Sequence, residues 1–382
     1  KSTVASEEEV KALEEELAAQ VLESLNLALE EPKPHYDEQA ELADVYALVG
    51  SEPSHEVAPE SSRKLRLIDA INEALGQALE RHDNLVFMGQ DIAEYGGVFK
   101  ATDGLLERFG AARIRNTPLC ESAIVGAGVG LSVEGFKSMV EMQFSDFVTE
   151  AMTQICNQAA KLHYRWGQSV DMVLRMPTGA GMAAGPFHSQ STEAWFARVP
   201  GLKVVYPSTP AQAKGLLLRA FEDPNPVLFF EHKNLYRSFE EVVSEEYYTL
   251  PLDRAVLVQP GEDLTVIAYG SAVHWVQDWM RANPDNSIEL IDLVSLRPVD
   301  WNTLEKSVRK TNRCLVVQED TFLGSIGSSI ASEIQQRCFA VLDAPVSVLS
   351  SSDTPIPFAA ELERGFLPQE RLDSAFKSIL NY

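Results

Sequence analysis

The chain has 382 residues, 45% of them hydrophobic, and sets 56 Asp and Glu against 32 Lys and Arg for a net charge of −24. That apolar content can fill two or three domain cores. A chain so acidic repels phosphate backbones, which argues against nucleic-acid partners, and its apolar runs are too short for a membrane span.

The first 62 residues stand apart, with sixteen acidic and three basic side chains. Ser6 followed by Glu9 reads as a capping box, and Val10, Leu13, Leu17, Val21 and Leu25 recur at helical spacing. Pro32 and Pro34 end that helix, and residues 50–62 (GSEPSHEVAPESS) have linker composition. A lone amphipathic helix encloses no core, so it is expected to dock elsewhere. No apolar block follows KSTVASEEEV, so no secretory signal is expected. The absent initiator Met points to a trimmed chain or a piece of a longer one.

From Arg63 the pattern alternates. Residues 67–82 read as a helix and 85–89 (LVFMG) as a buried strand. Residues 103–110 read as a helix capped by Thr102, and 112–116 as extended chain. Glu121 opens the next helix. A strand over 137–144, a helix over 146–164 capped by Asp146, and a strand over 170–177 follow. Strand 202–207, helix 210–222 and strand 226–232 complete this set. Residues 240–262 read as a connector with an edge region. A second set then places strands at 264–270, 288–296, 313–320 and 346–351, with helices at 272–282, 301–311 and 327–338. Strands separated by helices imply mainly parallel sheets covered on both faces. The predicted class is α/β: a helical extension (1–62), then two parallel-sheet α/β domains (63–250 and 251–382).

The glycines of GAGVG (126–130) do not fit a dinucleotide fingerprint, and no phosphate-binding P-loop occurs. Gly126 and Gly130, four apart, predict a helix face that another element approaches closely. Cys120, Cys156, Cys314 and Cys338 form no CxxC pair and no zinc-ligand spacing with His, so four reduced, buried thiols are expected. Glu121 has two readings. One is a first-turn acid favoured by the helix dipole. The other is a carboxyl among Leu119, Cys120, Ala123, Ile124 and Val125, its pKa raised by desolvation so that it can exchange a proton with a ligand nitrogen. His188 lies in a Gly- and Pro-rich loop, 177–190, after a strand. It is either a solvated loop histidine or a ligand-facing one, since α/β folds bind substrates at strand carboxyl ends. No G-x-S-x-G elbow accompanies HSQS, which disfavours a serine hydrolase. Gln143, Phe144 and Phe147 fall at another strand end, as core or as ligand contacts; Asp223 and Asn225 read as turn formers.

Taken together, GQDIAEYGGVFKATDGLLERFG, NTPLCESAIVGAGVGL, EMQFSDF, QICNQAAKLHYRWG, GPFHSQSTEAWFARVPGLKVVYP, EDPNPVLFFEHKNLYR and DTPIPF closely resemble the beta subunit of thiamine-diphosphate-dependent 2-oxo acid dehydrogenases. The resemblance runs from about residue 64 to the end and implies a pyrimidine-binding domain followed by a transketolase C-terminal-like domain. ALEEPKPHYDEQAELADVY resembles the closing segment of the alpha subunit, which implies a fused alpha–beta polypeptide.

By that resemblance Glu121 hydrogen-bonds a ring nitrogen of the cofactor's aminopyrimidine, and Leu119, Gln143 and Phe147 line its pocket. His188 matches the histidine that faces the lipoyl group. Met172, Val173, Ala220, Asp223 and Asn225 match a region that binds K⁺. The diphosphate and Mg²⁺ fall to an alpha partner, since this chain has no GDG motif. The implied activity is oxidative decarboxylation of a branched-chain 2-oxo acid with transfer to a lipoyl-bearing acyltransferase. The implied assembly is a cytoplasmic heterotetramer containing a second beta subunit, or a dimer of fused chains. Pyruvate is the alternative substrate. A transketolase or deoxyxylulose-phosphate synthase fragment and a non-catalytic docking subunit are the rivals.

Overall fold

The computed structural model describes residues 5–50 and 62–382; the expected linker lies almost wholly outside them. Residues 1–44 and 45–382 form two units. In the first, α1 (Glu7–Glu30) starts with the expected box: the Glu9 amide donates to Ser6 Oγ and the Ser6 amide to Glu9 Oε2. Val10, Leu13, Leu17, Val21 and Leu25 are all exposed. The short α2 (Glu38–Ala43) is capped by Asp37.

The second unit begins with β1 (Lys64–Arg66), α3 (Leu67–Arg81), β2 (Leu85–Gly89), α4 (Leu105–Phe109), β3 (Ile114–Asn116), α5 (Glu121–Val133) and β4 (Lys137–Glu141). Then come α6 (Leu162–Trp166), β5 (Met172–Thr178), α7 (Glu193–Ala197), β6 (Lys203–Val205), α8 (Pro210–Glu222), β7 (Val227–His232) and β8 (Glu240–Val242). Its remainder holds β9 (Val256–Gln259), β10 (Leu264–Ala268), α9 (Ser271–Ala282), β11 (Ile288–Asp292), β12 (Ser295–Arg297), α10 (Trp301–Thr311) and β13 (Cys314–Val317). The chain closes with α11 (Ile326–Cys338), β14 (Ser347–Leu349), α12 (Ala360–Phe366) and α13 (Leu372–Leu380).

A seven-stranded sheet runs β12-β6-β7-β5-β4-β2-β3, and a five-stranded one β14-β13-β10-β11-β9; both are parallel except at one edge strand. β1 and β8 form a separate antiparallel pair. β2, β5, β7, β10, β11 and β13 are buried at every position, as helix-covered parallel strands must be. The expected α/β class with parallel-rich sheets is what the chain adopts.

Several local expectations are corrected. Residues 288–296 are not one strand. The chain turns at Val294, where φ is +55°, and β12 crosses to the first sheet, pairing with β6. Residues 146–164 are not one helix but a 3₁₀ segment (Ser145–Ala151), a π segment (Thr153–Ala159) and α6. Asp146 caps nothing, because its Oδ1 accepts from the Gln190 amide and side chain at 3.1 and 2.9 Å. Thr102 is not the cap of α4; its hydroxyl donates to the Ile92 carbonyl, and Gly104 takes that place. In α5 the close approach is at Gly128, where a Cβ would lie 2.8 Å from Val140 Cγ2 and 3.0 Å from Met172 Sδ; Gly126 and Gly130 are not crowded in this way. Cys120 precedes α5 and is exposed, Cys156 is half-buried, and only Cys314 and Cys338 are buried.

Candidate active site

Four adjacent strands, β5-β4-β2-β3, bring their carboxyl ends to one edge of the large sheet. The segments leaving those ends carry every candidate catalytic and cofactor-binding residue. After β3 come Leu119 and Glu121; after β2, Gln90 and Asp91; after β4, Gln143, Phe144 and Phe147; after β5, His188.

Glu121 is the first residue of α5 and is buried. Its Oε1 accepts from Gln90 Nε2 at 3.2 Å, and among the described residues Oε2 has no hydrogen-bond partner. Leu119, two residues earlier, is 80% exposed. A sheltered acid with one free oxygen, beside an apolar side chain with nothing over it, suits a flat heterocycle bearing a ring nitrogen. Gln143 is half-buried and donates to Asp91 Oδ2 at 3.0 Å. Gln90 and Asp91 therefore tie two candidate groups together, and the reading of the sequence missed both in that role. Their position directly after a buried strand was the available signal.

His188 lies edge-on to two rings, with centroids 4.9 Å from Phe144 and 5.6 Å from Phe147. Phe144 and Phe147 also touch each other edge-to-face at 5.8 Å. Lys233 is buried, stands 5.7 Å from the Phe144 ring and donates to the Gly179 carbonyl at 2.6 Å. Burial pushes its pKa down to about 8, against the pull of Asp146, Glu319 and Glu363. The loop is further held by Glu319. Its Oε1 accepts the Ala180 amide at 2.6 Å, and its Oε2 lies 2.6 Å from His232 Nε2. Burial works to raise the Glu319 pKa, but His232 and the amide outweigh it and keep the group ionised.

The region proposed for K⁺ lies elsewhere on the same sheet. Met172 and Val173 are buried in β5, and Ala220 is buried in the last turn of α8. Asp223 Oδ1 accepts from the Asn225 amide and side chain at 3.0 and 2.8 Å, the expected turn, while Oδ2 accepts from Lys203. Asn225 also exchanges two hydrogen bonds with the Ala47 backbone. Among the described residues no cluster of three His, Cys, Asp or Glu side chains suits a metal.

Glu193, at the start of α7, is fully buried and accepts from the Tyr269 hydroxyl at 3.0 Å. Burial, with the charge of Asp320 added, pushes its pKa up to about 8. The folded chain thus keeps a proton that the unfolded chain releases above about pH 4.5. This contribution to stability is complete at low pH, is lost as pH climbs through that window to about 8, and is constant beyond. Glu193→Gln keeps the neutral shape, so its melting temperature should decline less over that window than the wild type's. Parallel melting curves would contradict the assignment.

The transketolase pyrimidine-binding domain family matches residues 63–238, and the transketolase C-terminal domain family matches 253–371. A mitochondrial 2-oxoisovalerate dehydrogenase subunit beta 2 of Arabidopsis thaliana is 44% identical over 329 residues, 85% of this chain and 91% of the relative. The chain belongs to the 2-oxoisovalerate dehydrogenase beta-subunit family. The pyruvate dehydrogenase E1 component subunit beta of Bacillus subtilis is 39% identical, covering 81% of this chain and 96% of its own. Among solved structures, a split-gene transketolase described as an inactive beta4 tetramer shares the fold at a TM-score of 0.66 and 21% identity, covering 83% of this chain and 98% of that one.

Membership in this beta-subunit family implies thiamine diphosphate. The free Glu121 oxygen and the bare Leu119 fit its aminopyrimidine half. Among the described residues no helix is long and apolar enough to cross a membrane.

Proposed function

We propose that this chain is the beta part of a thiamine-diphosphate-dependent dehydrogenase that decarboxylates branched-chain 2-oxo acids and passes the acyl group to a lipoyl domain. The observation that carries this reading is the buried Glu121, fixed through one oxygen by Gln90 and free at the other. Its rank above a pyruvate enzyme rests on 44% identity to a 2-oxoisovalerate relative against 39% to a pyruvate one.

Bound there, the cofactor supplies the nucleophilic carbon and the electron sink that decarboxylation needs. Glu121 holds and moves a proton at Oε2, while Gln90 keeps Oε1 from rotating away. Leu119 and Phe147 exclude water from the pyrimidine edge. Gln143, steadied by Asp91, orients the ring. His188, set by Phe144 and Phe147, gives its proton to a dithiolane sulfur as the acyl group transfers.

The diphosphate and Mg²⁺ are assigned to an alpha partner, and residues 1–62 to the tail and linker of such a segment in a fused chain. A second beta subunit and a lipoyl-bearing acyltransferase complete a cytoplasmic assembly. A K⁺ ion among the Met172, Val173 and Ala220 carbonyls, with Asp223 and Asn225, belongs to the same proposal.

Steady-state rates of the complete alpha–beta assembly with 3-methyl-2-oxobutanoate and with pyruvate test the substrate. The branched acid should lead by at least about tenfold in kcat/KM, the scale that a few methylenes support in an apolar pocket. A clear preference for pyruvate would refute the branched-chain reading.

A further inference from the structure

The His188 loop is held not only by its own domain but also by a carboxylate 182 residues away from Gly181. We propose that Glu363 is a positioning residue for His188: its carboxylate locks the middle of the loop so that the imidazole meets the lipoyl group. This rests on the role given to His188 above.

Glu363 lies on α12 and is only 4% exposed. Its Oε1 accepts the Gly181 amide at 3.0 Å and its Oε2 the Ala183 amide at 2.8 Å. Gly181 has φ +94° and Ala183 φ +51°, so both are left-handed. An alanine adopts that region at a cost, and here the conformation turns two N–H groups onto one carboxylate. No cation forms an ion pair with Glu363 among the described residues. The two charge-assisted amide bonds, together with the attraction of the buried Lys233 ammonium, offset its desolvation.

Phe358, from the same part of the chain, closes over Gly185, where a Cβ would lie 2.5 Å from its ring. The Gly185 carbonyl in turn accepts the His188 amide at 3.3 Å. The ends of the loop have separate anchors: Glu319 on the Ala180 amide and Asp146 on the Gln190 amide. Glu363 and Phe358 hold the stretch between them. Among the described residues no hydrogen bond or ion pair joins Glu121 to Glu363, so loosening the loop should slow acyl transfer and spare decarboxylation. A merely structural role would lower both together. Misplacing a proton donor by about 1 Å is enough to cost on the order of a hundredfold.

The test uses the complete alpha–beta assembly with thiamine diphosphate and 3-methyl-2-oxobutanoate. Decarboxylation is followed with an artificial electron acceptor, acyl transfer with an isolated lipoyl domain, and loop order by amide hydrogen exchange across 179–190. Glu363→Gln, which turns a donor toward a donor, should slow transfer by about tenfold or more. Decarboxylation should stay within about threefold, exchange at Gly181 and Ala183 should quicken, and Glu363→Asp should restore part of the transfer rate. Should Glu363→Gln fail to assemble, Glu363→Asp is read by the same split. Wild-type transfer in Glu363→Gln, or an equal fall in both reactions, overturns the proposal. His188→Ala is run alongside. If it transfers normally, the histidine's assigned role falls and this proposal with it; if it is impaired while Glu363→Gln is not, only this proposal falls.

Discussion

Glu121→Gln in the complete assembly should lower turnover of 3-methyl-2-oxobutanoate by roughly two to four orders of magnitude, the range lost when a positioned acid–base group is removed. Glutamine keeps the length and polarity of the side chain and can still meet Gln90. It cannot share a proton at the oxygen that Glu121 leaves free. Assembly and thermal stability should stay near wild type, because among the described residues the one side-chain bond at stake is the 3.2 Å contact with Gln90. The effect should therefore fall on kcat, read by steady-state kinetics with saturating cofactor. Turnover within a few-fold of wild type would remove the mechanism and favour the non-catalytic docking subunit.

Arg175→Met should produce the largest loss of stability. Arg175 is fully buried in β5. Its Nε and Nη2 donate to the two Glu231 oxygens at 2.7 and 2.8 Å, and Nη1 donates to Glu141 Oε2 at 2.5 Å. The Tyr236 hydroxyl donates to Glu231 as well. Even with the guanidinium present, burial holds the Glu141 pKa above its ordinary value. Removing the cation leaves two buried carboxylates facing each other, at a cost of about 3–5 kcal/mol. For a domain of this size that is a fall of on the order of 10 °C in melting temperature. Neutralising both acids together, Glu141→Gln with Glu231→Gln, should recover part of the loss in the Arg175→Met background. An unchanged melting temperature in Arg175→Met would show that the triad is not structural.

This triad also shows where a single sequence stops being legible. The α/β alternation was readable because buried parallel strands and amphipathic helices are local patterns. Glu121 was readable as the start of α5 because an acid before GAGVG breaks an apolar run. The partners of Arg175 lie 34 and 56 residues away, and Gln90 lies 31 residues from Glu121. No periodicity reports those distances. The crossing of β12 was hidden for a related reason. Residues 288–296 read as one continuous stretch, and only a backbone turn at Val294 decides that Ser295–Arg297 serve another sheet. Asp146 had the composition of a cap, but an acceptor goes to the donor that tertiary structure supplies, and that donor is Gln190. The sequence puts His188 in the loop that follows β5 and leaves its role open. The two phenyl rings and the distant carboxylates that fix it became visible only with the fold.

The half-site assigned to this chain depends on a buried acid whose free oxygen awaits a ring nitrogen. Calorimetric titration of thiamine diphosphate with Mg²⁺, into this chain alone and into the complete alpha–beta assembly, addresses it directly. Saturable binding to the assembly, weakened by Glu121→Gln, is expected, with no saturable binding to the chain alone. Tight binding by the chain alone, or binding to the assembly indifferent to Glu121→Gln, would contradict it.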